Sequence, residues 1–97
     1  MSYKVKLRSS IRRRIVAWNL PDPLFVEVLL RLEQELGRHP WEQLRRARHP
    51  FDGMIYSFAI VEPTNRLVEH YFDFHILYGQ DEESLLVVNC SHLLLGL

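Results

Sequence analysis

The chain predicts an α+β domain, and three observations predict it. One short alternating strand opens the sequence, two amphipathic helices follow, and three β-rich segments joined by short turns close it. Strands grouped after helices, instead of alternating with them, point to an antiparallel meander and not to a parallel sheet. Ninety-seven residues make one domain, spanning 1–97. A hydrophobic fraction of 47% with 11% aromatic residues is enough for a core and argues against disorder.

The opening strand runs from Tyr3 to Leu7. Tyr3, Val5 and Leu7 face one way, while Lys4 and Lys6 give the other side a wet, basic surface. Ser9 or Ser10 then caps a helix in which Ile11, Ile15 and Trp18 share a face. Arg12, Arg13 and Arg14 fan around its other sides, and Asn19 to Pro21 ends it. The second helix starts with Asp22 as N-cap and Pro23 at the first helical position. Phe25, Val28, Leu29, Leu32 and Leu36 form its core stripe. Leu24, Val26 and Leu30 widen the apolar surface, which predicts cover on more than one side. Gly37 suits the left-handed cap that stops a helix, with Pro40 beyond it. Trp41 and Leu44 anchor a short helical turn expected within Pro40 to Arg48. Pro50 and Gly53 mark the next turn.

The rest reads as strand. Met54 to Val61 is rich in β-formers, Pro63 to Asn65 is a turn, and Leu67 to Tyr78 is a long aromatic strand. Gly79 to Ser84 is an acidic turn, and Leu85 to Cys90 is the last strand. The apolar tail from Leu93 to Leu97 is expected to pack on its own domain, with a dimer or partner interface as the alternative.

The formal net charge of zero hides a split. Residues 1–50 hold eleven Lys or Arg against five Asp or Glu, whereas residues 51–97 hold one against seven. Such a division can build a local field for a polyanion, or it can neutralise itself within the fold. No apolar run is long enough to span a bilayer, and no apolar stretch follows the basic N-terminal residues as a secretory signal would. Cys90 is the single cysteine, so it has no internal disulfide partner and reads as a buried thiol. A cytoplasmic protein with no cofactor and no metal is expected.

This order of parts resembles the RelE/ParE toxin family of bacterial toxin–antitoxin systems. The pieces that carry the resemblance are YKVKLRSSIRRRIVAW, LFVEVLLRLEQELGRHPWEQL, DGMIYSFAIV, VEHYFDFHILYG and SLLVVNCSHL, which together span nearly the whole chain. The resemblance implies a first strand, two helices packed on one face of the sheet, a three-stranded antiparallel meander, and a functional site on the open face. It also implies an antitoxin partner. RelE-type members cleave messenger RNA on the ribosome, and ParE-type members inhibit DNA gyrase. The leading expectation is therefore translation inhibition by ribosome-dependent cleavage, a metal-independent endoribonuclease activity. The alternative is a non-catalytic binding module on the same fold, and a homodimer is a further possibility.

Two departures bear on that choice. Where the family brings an Arg near the start of the central meander strand, this chain has Val68, Glu69, His70 and Tyr71. His92 matches a family His position, but Leu93 follows it in place of Arg, and no Tyr comes after.

Alternation sorts what remains. Val68, His70, Phe72, Phe74, Ile76 and Tyr78 share one face of the long strand and should meet the helices. Tyr71, Asp73 and His75 lie on the other face, with Glu69 and Leu77, spaced about 7 Å apart. Asp73 is placed to orient His75, and an imidazole moves protons near neutral pH. His92 on the adjoining strand is expected to add a second imidazole. Arg45, Arg46 and Arg48, with Lys4 and Lys6, are the candidates for holding phosphate. His70 reads as core. It cannot share a metal with His75, because the two point to opposite faces.

Overall fold

The computed structural model describes residues 3–38, 44–46, 53–78 and 83–96. In chain order these form β1 (Lys4–Leu7), α1 (Ser9–Ala17), α2 (Asp22–Leu30), which runs on as a π-helical stretch (Arg31–Leu36), β2 (Leu44–Arg46), β3 (Met54–Glu62), β4 (Asn65–Tyr78) and β5 (Ser84–Gly96). The strands make one sheet in the order β1-β5-β4-β3-β2. β1 runs parallel to β5, and every other pair is antiparallel. The expected α+β class, the two helices and the meander are all present.

The meander is longer than expected by one strand. Leu44 to Arg46 is extended and pairs with Met54 to Tyr56, so the helical turn expected there is overturned at these residues. Pairing with the exposed edge of β3 outweighs a weak local helical signal. The remainder of that expected turn, including Trp41 and Arg48, lies outside the described residues.

The helices differ from expectation mainly at their ends. Arg8 caps α1 and Pro21 caps α2, neither with a side-chain hydrogen bond, so Ser9, Ser10 and Asp22 are not caps. Instead the Pro21 carbonyl accepts from the backbone N–H groups of Leu24 and Phe25, at 3.0 and 2.9 Å. Asn19 ends α1 with φ of 53°, the left-handed conformation that Asn tolerates. Gly37 has no such role, because its φ is −64°. It is needed for closeness: an added Cβ would sit 2.8 Å from the Tyr3 carbonyl oxygen. The Tyr3 N–H donates to the Gly37 carbonyl at 2.8 Å, which ties the start of β1 to the end of the second helix.

One face of the sheet carries the core. Ile11 and Ile15 of α1, then Leu24, Val28, Leu32 and Leu36 of the second helix, pack on Tyr56, Phe72, Phe74, Ile76, Leu85 and Val87. Val28, Leu32 and Leu36 are four apart, and an α-helix drifts about 40° over four residues. The wider π-helical turn offsets that drift, and all three stay buried. Val26 and Leu30 remain exposed, so the second helix is covered on one side only and the expected second cover is absent among the described residues. Trp18 bridges α1 to the sheet, with ring centroids 5.7 Å from Phe72 and 6.3 Å from Phe74. No helix among the described residues is long and apolar enough to cross a membrane.

Candidate functional site on the open face of the sheet

The face of the sheet away from the helices carries the candidate site. On β4, His70, Phe72, Phe74 and Ile76 are buried, whereas Tyr71 and Asp73 are exposed and His75 is half-buried. Alternation therefore assigned both faces of this strand correctly. Cross-strand register adds the neighbours. Asp73 stands between Ser57 on β3 and Ser91 on β5, and Tyr71 between Ala59 and Leu93. His75 stands between Ile55 and Asn89, and Arg45 of β2 occupies the register position beside Ile55.

These groups are held as follows. The Ser57 hydroxyl donates to an Asp73 carboxylate oxygen. The Tyr71 hydroxyl donates to Glu69 Oε2 at 2.8 Å, and that carboxylate pushes the phenol's pKa upward. Tyr71 therefore stays protonated and can act as a hydrogen-bond donor. Nδ1 of His75 is buried while the ring as a whole is half-buried. Lys4 and Lys6 are exposed on β1, and Lys6 is in register with Leu86 of β5, itself opposite Leu77. Strand spacing and rise put Lys6 on the order of 10 Å from His75. A phosphate-bearing chain lying across the face can thus reach both.

His92 is not part of this row, which corrects the expectation of a second imidazole there. The reason is a bulge in β5. His75 pairs with Asn89, but Ile76 pairs with Val87, leaving Val88 as an extra residue. Leu85 and Val87 face the helices on one side of the bulge, and Cys90 and His92 do so on the other. His92 accordingly packs on the helix side, with ring centroids 5.3 Å from Trp18 and 5.0 Å from Phe72.

There it joins a chain that the sequence did not reveal. His92 Nε2 and His70 Nδ1 are 2.8 Å apart, and His70 Nε2 meets Glu62 Oε2. An ionised Glu62 can only accept. His70 therefore donates from Nε2 to Glu62, and a single proton is shared between His70 Nδ1 and His92 Nε2. The bond from His70 lowers the Glu62 pKa. Burial, then the neighbouring His70, lowers that of His92. Glu62 had no signal of its own, being the residue before an ordinary turn; only the β3–β4 register brings it to His70.

Side chains of Arg45 and Arg46 are not described, and Arg48 lies outside the described residues. Arg14 is exposed on α1 and donates through Nη1 to Asn89 Oδ1 and, at 3.1 Å, to the Cys90 carbonyl. The Cys90 thiol is buried, and burial pushes its pKa up. Among the described residues no group of three or more His, Cys, Asp or Glu is arranged to hold a metal ion. A separate hollow of about 230 Å³ lies in the helical layer, lined mainly by Leu7, Ile15, Val16, Phe25 and Leu29.

No protein-family model matches the chain, and no curated protein matches it. A solved structure does. The chain is similar to one in the RelBE2 toxin–antitoxin complex from Mycobacterium tuberculosis, with a TM-score of 0.69 and 15% sequence identity. The likeness covers 96% of this chain and 100% of that one. The two-helix layer, the antiparallel meander and this whole-length superposition together establish that the chain has a RelE-type toxin fold.

Proposed function

We propose that the chain is the toxin of a toxin–antitoxin pair, that it acts in the cytoplasm, and that it inhibits translation by cutting messenger RNA on the ribosome. The observation that carries this reading is the likeness over 96% of the chain to a component of a toxin–antitoxin complex. The open face supplies groups suited to the chemistry. His75 takes the proton of a ribose 2′-hydroxyl, and the 2′-oxygen attacks phosphorus. The bond to the 5′-oxygen breaks, that oxygen takes a proton, and a 2′,3′-cyclic phosphate and a 5′-hydroxyl result. Tyr71 exchanges its bond to Glu69 for one to the phosphate, Asp73 with Ser57 fixes the polar row, and Lys4, Lys6, Arg45, Arg46 and Arg48 hold the RNA backbone. An antitoxin is the protein partner.

A second reading is a binding module on the same fold that inhibits gyrase or only engages its partner protein. One observation favours it: His92 is held by His70 against Trp18 on the helix side, which leaves His75 as the one described histidine on the open face. Cleavage of messenger RNA on programmed ribosomes separates the two. The intact protein should cut, His75→Ala should slow cutting by about a hundredfold or more, and the pair Lys4→Ala with Lys6→Ala should weaken it most at low salt and flatten its salt dependence. His92→Ala should leave the rate of the folded fraction unchanged. Absence of cleavage by well-folded protein transfers the case to gyrase supercoiling and partner-binding assays.

A further inference from the structure

The far end of β5 is a bare strand edge with an apolar surface. β1 pairs with β5 only from Ser84 to Val87, so among the described residues nothing pairs with the outer edge beyond that point. The carbonyl of Cys90 points outward, because Arg14 donates to it, and the Cys90 N–H also bonds outside the ladder, to Asn89 Oδ1. Outward-pointing residues alternate in an antiparallel pair. His92, Leu94 and Gly96 therefore present their N–H and C=O groups to the outside. Around them Leu93, Leu94 and Leu95 are 57%, 54% and 46% exposed, so residues 93–96 dock on their own domain by pairing with β4 but leave these side chains largely outside the core.

Natural edges of this length carry Lys, Pro or inward charges that discourage pairing. The segment SLLVVNCSHLLLG has no Lys, Arg, Asp, Glu or Pro. An edge with no charge offers no handle for selecting a charged partner, yet it is complementary to itself.

We propose that β5 is a homodimer seam, with residues 92–96 of two copies pairing antiparallel about a two-fold axis at Leu94. In this register Leu94 faces Leu94 of the second copy, and His92 faces its Gly96. All three outward residues of each chain then find partners. Leu93 meets Leu95 of the second copy on the open face, which covers both, beside Tyr71, the neighbour of Leu93 on β4. Moving the axis to Leu93 would set Gly96 against Cys90, whose carbonyl Arg14 already occupies. Arg14 thus selects the register. Five residue pairs make a small seam, so the dimer should be concentration-dependent. The seam does not depend on the RNA reading.

Sedimentation equilibrium of the full chain provides the test. The mass should rise with concentration from 11.6 kDa toward twice that value. Leu94→Lys and Leu94→Glu each place like charges at the axis and should weaken association by about tenfold or more. An equimolar mixture of the two should restore it, because opposite charges then meet. Thermal melts must show both variants folded, as expected for a side chain more than half exposed. An intact chain that stays monomeric at its highest soluble concentration overturns the proposal and leaves the edge to a strand of another protein. Dimers that persist unchanged in Leu94→Lys overturn it as well.

Discussion

The two faces of β4 spend neighbouring residues on opposite tasks. Phe72, Phe74 and Ile76 are sealed under the helices, while Tyr71 and Asp73, one position away, stand in solvent. The sealed face holds its histidine in a relay: His70 is 5% exposed and bonded at both ring nitrogens, to His92 and to Glu62. The open face holds its polar groups by surface bonds, Ser57 to Asp73 and Tyr71 to Glu69. Similar chemistry on one strand is thus structural on one side and available on the other. Burial makes the difference, because a buried polar group must be satisfied within the protein whereas an exposed one can be satisfied by whatever arrives.

The largest expected break of this contrast is Phe74→Ala. The ring is 0% exposed and meets Trp18 and Phe58, so its removal leaves a cavity as well as lost contacts. It should cost about 3–5 kcal/mol in urea unfolding. Asp73→Ala, the adjoining residue on the other face, should cost less than about 1 kcal/mol, since an exposed hydroxyl–carboxylate bond competes with water. Equal losses at the two positions would mean that the open face is covered.

Gly37→Ala is expected to rank next. The new methyl would lie 2.8 Å from the Tyr3 carbonyl oxygen, a backbone atom held by β1, and not against a flexible side-chain end. Overpacking of this kind costs about 1–3 kcal/mol. It should loosen β1 first, visible as faster amide exchange at Tyr3 and Lys4. A neutral result would show that the strand shifts freely at this junction.

These positions also show what could be read in advance. Apolar spacing was enough to find both helices and to sort the faces of β4, because burial on one side imposes period 2 on a strand without interruption. It failed wherever the ladder gains residues. The β3–β4 ladder runs Glu62 to Asn65 at the turn but Val61 to Glu69 one step later. Counting from the turn would therefore set Ser57 opposite His70 instead of Asp73. The Val88 bulge likewise flips every later residue of β5, which carried His92 to the helix side. An odd insertion leaves no mark in composition or hydropathy. Gly37 was recognised as special for the wrong reason: closeness to another strand and positive φ both call for glycine.

The smallest expected effect is a pH slope confined to the helix-side relay. Burial and His70 hold the His92 pKa below its ordinary value of 6.5. Between that value and the lower folded one, the unfolded chain binds the proton and the native chain does not. Stability should therefore fall on acidification from about pH 7 through that window, and level off below the folded value as far as His92 is concerned. Glu62 acts in the same direction at lower pH, since its folded pKa is also depressed and its contribution is lost as pH falls through it. Melting temperatures of the intact protein and of His92→Phe, which keeps an aromatic ring beside Trp18 and Phe72, isolate the histidine term. The intact protein should lose a few degrees more than the variant between neutral pH and the start of Glu62 titration. Parallel curves would place the pH dependence elsewhere.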